Sequence, residues 1–375
     1  MDRPKLACLA AVLAFSLLVC TPAPARDTIK IGVYLPMTGG VAAYGDMEWS
    51  GIQVANDMEP EVLGKKVKLI LVDTKSDKTE AANAVTLLVE KEKVCALIGE
   101  ATSGNTMAGN PISEKAKIPT VSPTATSPLV TQGKKYAFRA CLIDPFQGEV
   151  AAKFARNDLK AQKAAVIIDK AQDYSVGLGN YFAREFTRLG GKIVSTTFIQ
   201  SGDQDFSAQL SSVQVSKPDL IYAPNYYAED ALMAKQAQDL GIKIPILTGD
   251  GAQADPLIQI GGKAVEGMFF TGHFHKEAAS TDLSKEYIRR YEEKQKREMD
   301  AFSALAADAY FLLIDAMKRA GSTEGPKMRD ALAATSGFKG VSGIITMGED
   351  GNPIKSVVIN QVRDGKFVYV TTINP

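Results

Sequence analysis

From Ile29 to about Phe274 the chain alternates short β-rich runs with amphipathic helical stretches. Parallel strands need a crossover of a dozen or more residues between them, usually a helix, so this rhythm reads as βαβ units. The fold class is therefore α/β with largely parallel sheets. In a first block the strand candidates are Thr28–Tyr34, Lys66–Asp73, Val94–Gly99, Ile118–Ser122 and Tyr136–Leu142. Between them lie helical stretches such as Lys78–Lys91, with Asp77 as N-cap and Ala81, Ala84, Val85, Leu88 and Val89 on the face that packs on the sheet. A second block repeats the plan with Lys163–Asp169, Lys192–Ile199, Asp219–Pro224, Ile244–Thr248 and Gly267–Thr271 as strands. Two Rossmann-like lobes follow.

After Phe274 the rhythm changes. Residues 281–298 are rich in Lys, Glu and Arg and read as a solvated helix, whereas Ser303–Arg319 carries Leu305, Ala306, Tyr310, Leu313 and Ile314 at buried positions. The tail returns to strands: Gly343–Met347, a turn at residues 349–353, Ser356–Val362, a turn at Asp364-Gly365, and Lys366–Thr372. A pair of hairpins suits the rim of one lobe.

The first residues are a separate matter. Arg3 and Lys5 precede an apolar run from Leu6 to Val19, and Ala23-Pro24-Ala25 supplies the small-x-small pattern of a signal-peptidase site. At about 1.5 Å per residue, roughly 14 apolar residues fall short of a hydrocarbon core about 30 Å thick. Residues 1–25 are thus expected to be an export signal, with a soluble chain following. Cys20, after Leu17-Leu18-Val19, offers the alternative of a lipid-anchored N-terminus. About 350 residues then remain, too many for one compact core and enough for two.

Charge and cysteine content narrow the partners. The chain has 43 basic and 43 acidic side chains, and only Asp2, Arg3 and Lys5 fall in the leader, so no nucleic acid or anionic surface is favoured. Cys95 and Cys141 stand beyond the leader. An oxidising compartment would permit them to pair, and two buried thiols in strand-like segments is the other reading.

Several chemistries lack their residues. No GxxxxGK[ST] occurs, and Gly177-Leu178-Gly179 is not continued to a third glycine, so neither phosphate-cradling loop is supported. The only histidines, His273 and His275, are two residues apart with no cysteine or carboxylate cluster beside them, and read as polar residues at a strand end; no metal and no cofactor is expected. No serine stands in a GxSxG elbow, and histidine is too scarce for an obvious triad. Catalysis is not expected.

Six short stretches then stand out: Tyr44-Gly45-Asp46-Met47-Glu48, Gly99-Glu100-Ala101-Thr102-Ser103-Gly104, Ser122-Pro123-Thr124-Ala125-Thr126-Ser127-Pro128, Asp169-Lys170-Ala171-Gln172-Asp173-Tyr174, Asn225-Tyr226-Tyr227 and Gly249-Asp250-Gly251. Each falls at the carboxyl end of a strand candidate or just after it, where open α/β sheets bind ligands. On these stretches the chain, from about Asp27 to its end, resembles the periplasmic leucine/isoleucine/valine-binding protein family, the type I solute receptors of branched-chain amino-acid ABC transporters.

The resemblance implies a ligand cleft between two lobes joined by three crossings near Ile143–Phe146, Thr271–Phe274 and Val341–Gly343. The lobes would comprise 26–143 plus 274–341 and 144–273 plus 342–375. A zwitterionic ligand wants N–H and O–H donors at its carboxylate and a carboxylate at its ammonium. Ser103, opening a helix, would meet the ligand carboxylate, with Ala125 and Thr126 adding backbone and hydroxyl contacts. Asp250 resembles the acid that pairs with the ligand ammonium from the opposite lobe. Tyr44, Tyr174, Tyr226 and Phe274 match the family's aromatic walls. Plainer roles stand beside these: an N-cap for Ser103, turn formers for Thr126 and Asp250, ordinary core for the aromatics. Asp250 is shorter than the acid of the well-studied member, and Thr124 adds a side chain at the cleft, so the ligand identity stays open.

The resemblance thus implies a monomeric periplasmic receptor, without catalysis, that hands an amino acid to an inner-membrane ABC permease and its ATPase. The alternatives are a receptor for chemotaxis or signalling, or a binding protein for a short amide, urea-like or aromatic solute.

Overall fold

The computed structural model describes residues 28–375, so the leader read in residues 1–25, and Cys20 within it, lie outside the described residues. The first block folds as β1 (Ile29–Leu35), α1 (Ala42–Met58), β2 (Glu61–Val62), β3 (Lys65–Asp73), α2 (Lys78–Thr86), β4 (Ala96–Gly99), α3 (Ser103–Ala116), β5 (Thr120–Ser122) and β6 (Ala137–Arg139). Its sheet runs β2-β3-β1-β4-β5-β6, parallel except for the short β2 against β3. Asp77 caps α2, its carboxylate accepting from the N–H groups of Thr79 (2.8 Å) and Glu80 (3.0 Å). The helical periodicity runs on past Thr86 as a π-helical turn, Leu87–Lys91.

The second block gives α4 (Asp144–Asn157), β7 (Lys163–Asp169), α5 (Asp173–Arg188), β8 (Lys192–Ile199), α6 (Ser207–Ser216), β9 (Leu220–Tyr222), α7 (Tyr227–Asp239), β10 (Ile246–Thr248), α8 (Asp255–Gly261) and β11 (Phe269–Gly272). The chain continues through α9 (Asp282–Gln295), α10 (Ala301–Ala320), α11 (Gly325–Ala333), β12 (Phe338–Gly340), β13 (Gly343–Ile345), β14 (Val357–Arg363) and β15 (Lys366–Ile373). The second sheet runs β15-β14-β11-β10-β9-β7-β8, with only β14 and β15 antiparallel. In each sheet the strand order reverses beside the lobe's first long strand, β1 or β7. That switch opens a crevice at the carboxyl ends of the strands.

Helices α9 to α11 do not stay with the sheet they follow. Tyr287, Tyr291, Leu305, Tyr310, Leu313, Met328 and Leu332 share one core with Ile31, Val33 and Ile98 of the first sheet. On α9 only Ser284, Tyr287 and Tyr291 are buried, one stripe on a charged helix. The second lobe has its own cores on the two faces of its sheet, Leu178, Phe182 and Phe186 of α5 on one side and Phe206, Leu210 and Met233 on the other.

The third passage between lobes lies later than the Val341–Gly343 expected from sequence. Val341, Ile345 and Met347 still belong to the first lobe's core, and the chain joins the second sheet only at Val357. The reason is local: β13 turns back on β12 through Gly343, whose φ of 119° suits glycine, so this strand pairs with its neighbour and not with the large sheet.

Cys95 and Cys141 are free thiols. Cys95 Sγ lies 3.3 Å from the Lys30 carbonyl oxygen and Cys141 Sγ 3.4 Å from that of Ala125. Burial pushes both thiols up to about 12. No helix among the described residues is long and apolar enough to cross a membrane.

Candidate functional site

The loops at the carboxyl ends of the two sheets face each other across a narrow cavity lined by Tyr44, Ala101, Thr102, Ser103, Thr124, Thr126, Tyr174, Tyr226, Asp250, Gly251 and Phe302. Six of the eight residues expected from sequence therefore meet at one place.

On the first-lobe side, Glu100 organises the loop between β4 and α3. Its carboxyl group accepts from the Thr74 hydroxyl (2.7 Å), the Thr102 N–H (2.8 Å) and hydroxyl (2.7 Å), and the Asn105 amide (3.0 Å). That fixes Ser103 as the first residue of α3, where unpaired backbone N–H groups favour an anion. The Ser103 oxygen accepts from the Ser127 N–H at 3.1 Å, which leaves its own hydrogen to donate into the cavity.

On the opposite side, Asp250 begins a single 3-10 turn after β10 and is buried. Its Oδ1 accepts from Gln147 Nε2 (2.7 Å) and the Tyr174 hydroxyl (3.0 Å), and its Oδ2 lies 2.9 Å from His273 Nε2. Burial pushes this carboxyl up, but the adjoining His273 and the donors from His273, Gln147 and Tyr174 outweigh burial and hold it below the ordinary carboxylate range. It is an ionised acid, braced from three sides, at the cavity wall.

Between the two polar ends stands an aromatic wall. Tyr44 stacks on Phe302 with ring centroids 4.7 Å apart, meets Tyr226 edge-on at 5.7 Å, and donates its hydroxyl to the Gly251 carbonyl across the cleft. Tyr174 and Tyr226 stack at 5.5 Å with planes 8° apart. Each such pair contributes about 0.5–1.5 kcal/mol beyond burial. Tyr227, passed over in the sequence in favour of Tyr226, donates to the Gly40 carbonyl at 3.0 Å and so also joins the lobes. The Lys78–Asp173 pair at 3.0 Å crosses the same gap, but both side chains are well exposed, which limits it to about 1 kcal/mol.

Two expected residues are placed elsewhere. Ala125 lies behind the cavity wall, its carbonyl accepting from Arg139 (2.6 Å) and its N–H donating to Ser122 (3.2 Å). Both backbone groups are thereby engaged inside the lobe. Phe274 lines a second, wider cleft together with His275, Arg297 and Phe367. In its place Phe302, a residue the sequence did not single out, lines the cavity. Gln147 and His273 were missed as supports of Asp250: His273 does stand at the end of β11, as read from the sequence, but it is buried there against the Asp250 carboxylate.

A third buried acid bears on this site. Asp144, the first residue of α4, is pushed up to about 8 by burial, with the Thr126 side chain opposing, Asp250 adding and Arg139 opposing. A folded-state value above the unfolded one of about 3.9 means the folded protein holds a proton that the unfolded chain releases. The stabilisation is full below about pH 4 and is lost as pH rises through about 8. Asp144→Asn should therefore flatten the fall of the unfolding free energy between about pH 5 and pH 8, by up to ~1.4 kcal/mol per pH unit, and with it the fall of the thermal midpoint. An unchanged slope in thermal melts across that range would contradict the assignment.

The comparisons with known proteins agree with this geometry. The family model described as "Periplasmic binding protein" matches residues 28–366. The chain is similar to the Leu/Ile/Val-binding protein BraC3 of Rhizobium johnstonii, 32% identical over 351 residues, 92% of this chain and 93% of that one. Among solved structures it superposes on the leucine binding protein LivK of Thermotoga maritima with a TM-score of 0.91 at 50% identity, covering 92% of this chain and 99% of that one. It also superposes on the branched-chain amino acid transporter substrate binding protein LivJ of Streptococcus pneumoniae, solved in complex with isoleucine. There the TM-score is 0.88 at 32% identity, covering 93% of this chain and 100% of that one.

Proposed function

The chain belongs to the periplasmic binding proteins, and from that premise we propose that its cleft captures an α-amino acid with an aliphatic side chain and presents it to an ABC permease. The observation that carries the reading is the placement of the Asp250 carboxyl group, with the donors that brace it, on one side of the cavity and the amino end of α3, with Ser103, on the other. An ammonium group suits the first and a carboxylate the second. The ring faces of Tyr44, Tyr174, Tyr226 and Phe302 take the side chain out of water, and burying a leucine-sized group contributes roughly 1.5–3 kcal/mol. Thr126 is a further contact at the carboxylate end. The likeness to a leucine-binding and an isoleucine-bound protein supports an aliphatic ligand over an aromatic one.

The protein acts without catalysis, as a monomer in the periplasm, after removal of residues 1–25. Only a ligand touching both lobes favours the closed form, and a permease with its ATPase would read closure. Calorimetric titration tests this on protein unfolded and refolded to free it of copurified ligand, with leucine, isoleucine, valine, alanine, phenylalanine, glutamate and a short aliphatic amide. One-to-one binding of an aliphatic amino acid at micromolar affinity or tighter, about −8 kcal/mol or beyond, is expected. Binding of the amide without any amino acid would keep the receptor and overturn the role of Asp250.

A further inference from the structure

Behind the cavity wall, in contact with the wall residue Thr124, lies a second buried glutamate whose surroundings differ from those of Glu100. Glu48, on α1, is fully buried. Its Oε1 lies 2.5 Å from the Thr124 hydroxyl, and its Oε2 has no hydrogen-bond partner among the described residues. The same Thr124 hydroxyl lies 2.8 Å from the Ala101 carbonyl oxygen. A hydroxyl has one hydrogen, and a carbonyl oxygen can only accept. If Glu48 were ionised, the Thr124 oxygen would face two acceptors with one proton, and the carboxylate would keep at most one donor in a dry interior. A carboxyl proton on Glu48 removes both conflicts: Glu48 donates to Thr124, and Thr124 donates to Ala101. Glu100, with four donors on its carboxyl group, has what an ionised acid requires; Glu48 has not.

We propose that Glu48 is a positioning residue of the ligand cleft, a neutral acid whose O–H donates to Thr124 and locks that wall residue onto the Ala101 carbonyl. The inference deepens the reading of the cleft as an amino-acid site and rests on it. The chain of two hydrogen bonds ties α1, the loop after β4 and the loop after β5 together beside Ser103. It also leaves the Thr124 hydroxyl no hydrogen for a ligand, so towards the cavity this oxygen can act only as an acceptor. A neutral Glu48 keeps one negative charge away from the end of the cavity that receives the ligand carboxylate.

The charged and titratable groups facing Glu48 agree in direction. Glu100 from the β4–α3 loop and Asp300 at the start of α10 are both acids, and Tyr34 on β1 adds no cation. Burial first, then Glu100 and Asp300, push the Glu48 carboxyl well above its ordinary value, with the Thr124 hydroxyl opposing. As pH rises through that raised value, the donor to Thr124 is lost and a charge enters the wall, so affinity falls.

The test compares wild type, Glu48→Leu and Glu48→Gln. Glu48→Leu should weaken leucine binding about tenfold, the loss of one buried hydrogen bond and its alignment. Glu48→Gln should restore it to within about threefold, because its amide donates as the neutral acid does. The affinity of wild type should fall at alkaline pH more than that of Glu48→Gln, which shares the titration of the ligand's own ammonium. A difference infrared spectrum of wild type minus Glu48→Gln at neutral pH, recorded without ligand, should show the carbonyl stretch of a protonated carboxyl. Absence of that band, or a Gln variant as weak as the Leu variant, would overturn the proposal. If wild type bound no amino acid while the band was present, the cleft reading would fail and the protonated Glu48 would stand.

Discussion

Asp250→Ala is expected to weaken amino-acid binding by about a hundredfold or more. Removing one partner of a buried ion pair costs about 3–5 kcal/mol, because the other charge is left without compensation. Here the stranded charge is the ligand ammonium, enclosed by Tyr174, Tyr226 and Tyr44 with little water to replace the lost carboxylate. The substitution also leaves the donors of Gln147, His273 and Tyr174 without their acceptor, at about 1–3 kcal/mol for each group that stays buried and unpaired. The folded protein should therefore melt lower as well, and affinity must be measured well below the new midpoint. Asp250→Asn separates the two effects: it keeps the volume but withdraws the charge, so binding should still fall strongly while the melting point recovers in part. A loss of less than about threefold in both variants, by calorimetric titration, would mean that the ammonium is recognised elsewhere.

Gly51→Leu should cost about 3 kcal/mol or more of stability, the upper end of the overpacking range. On helix propensity alone the change should help, since glycine inside a helix is about 1 kcal/mol worse than alanine and leucine is a good helix former. Packing decides the sign the other way. A Cβ at Gly51 would lie 2.3 Å from the Ser303 carbonyl oxygen and 2.7 Å from its Cα, both backbone atoms that cannot swing aside. The contact is where α1 meets α10, and the Tyr287 hydroxyl sits within 3.1 Å of the Gly51 carbonyl and 3.2 Å of that of Ser303. The two helices cannot part without losing that bridge. Because α1 carries Tyr44 and α10 carries Phe302, spreading them also opens the 4.7 Å ring stack on the cavity. Thermal melts should show a drop of roughly 5–10 °C, and leucine affinity should fall about tenfold with the loss of the aligned aromatic pair. A midpoint within about 1 °C of wild type would show that the helices tolerate a side chain there.

The strands were legible because a buried parallel strand is a short apolar run bounded by turn residues, and Lys163–Asp169 and Lys192–Ile199 coincide with β7 and β8. Errors arose where burial outlasts the hydrogen-bonded ladder. Ala140, Cys141 and Leu142 are as buried as strand residues, yet β6 ends at Arg139, so an apolar run alone overstates the strand. The site followed the same logic. Loops at the carboxyl ends of strands carry local signatures, and Ser103, Thr126, Tyr174, Tyr226 and Asp250 lie in them. Gln147 is 103 residues from Asp250 in sequence and sits on a helix with no motif; only the packing of α4 beneath β11 brings it there. Phe302 reaches the cavity because α10 crosses back to the first lobe, which no pattern within α10 announces. Glu48 stood inside a quoted stretch, but its state depends on the single hydrogen of Thr124, a tertiary fact.

The most direct test is to titrate the ligand-free protein with leucine and, in parallel, with 4-methylpentanoate, which has the same carboxylate and side chain but no amine. Tight one-to-one binding of leucine, with the deaminated acid at least about a hundredfold weaker, is the predicted result, since only the ammonium engages the ionised Asp250. Comparable affinity for the two would contradict a cleft built for an amino acid.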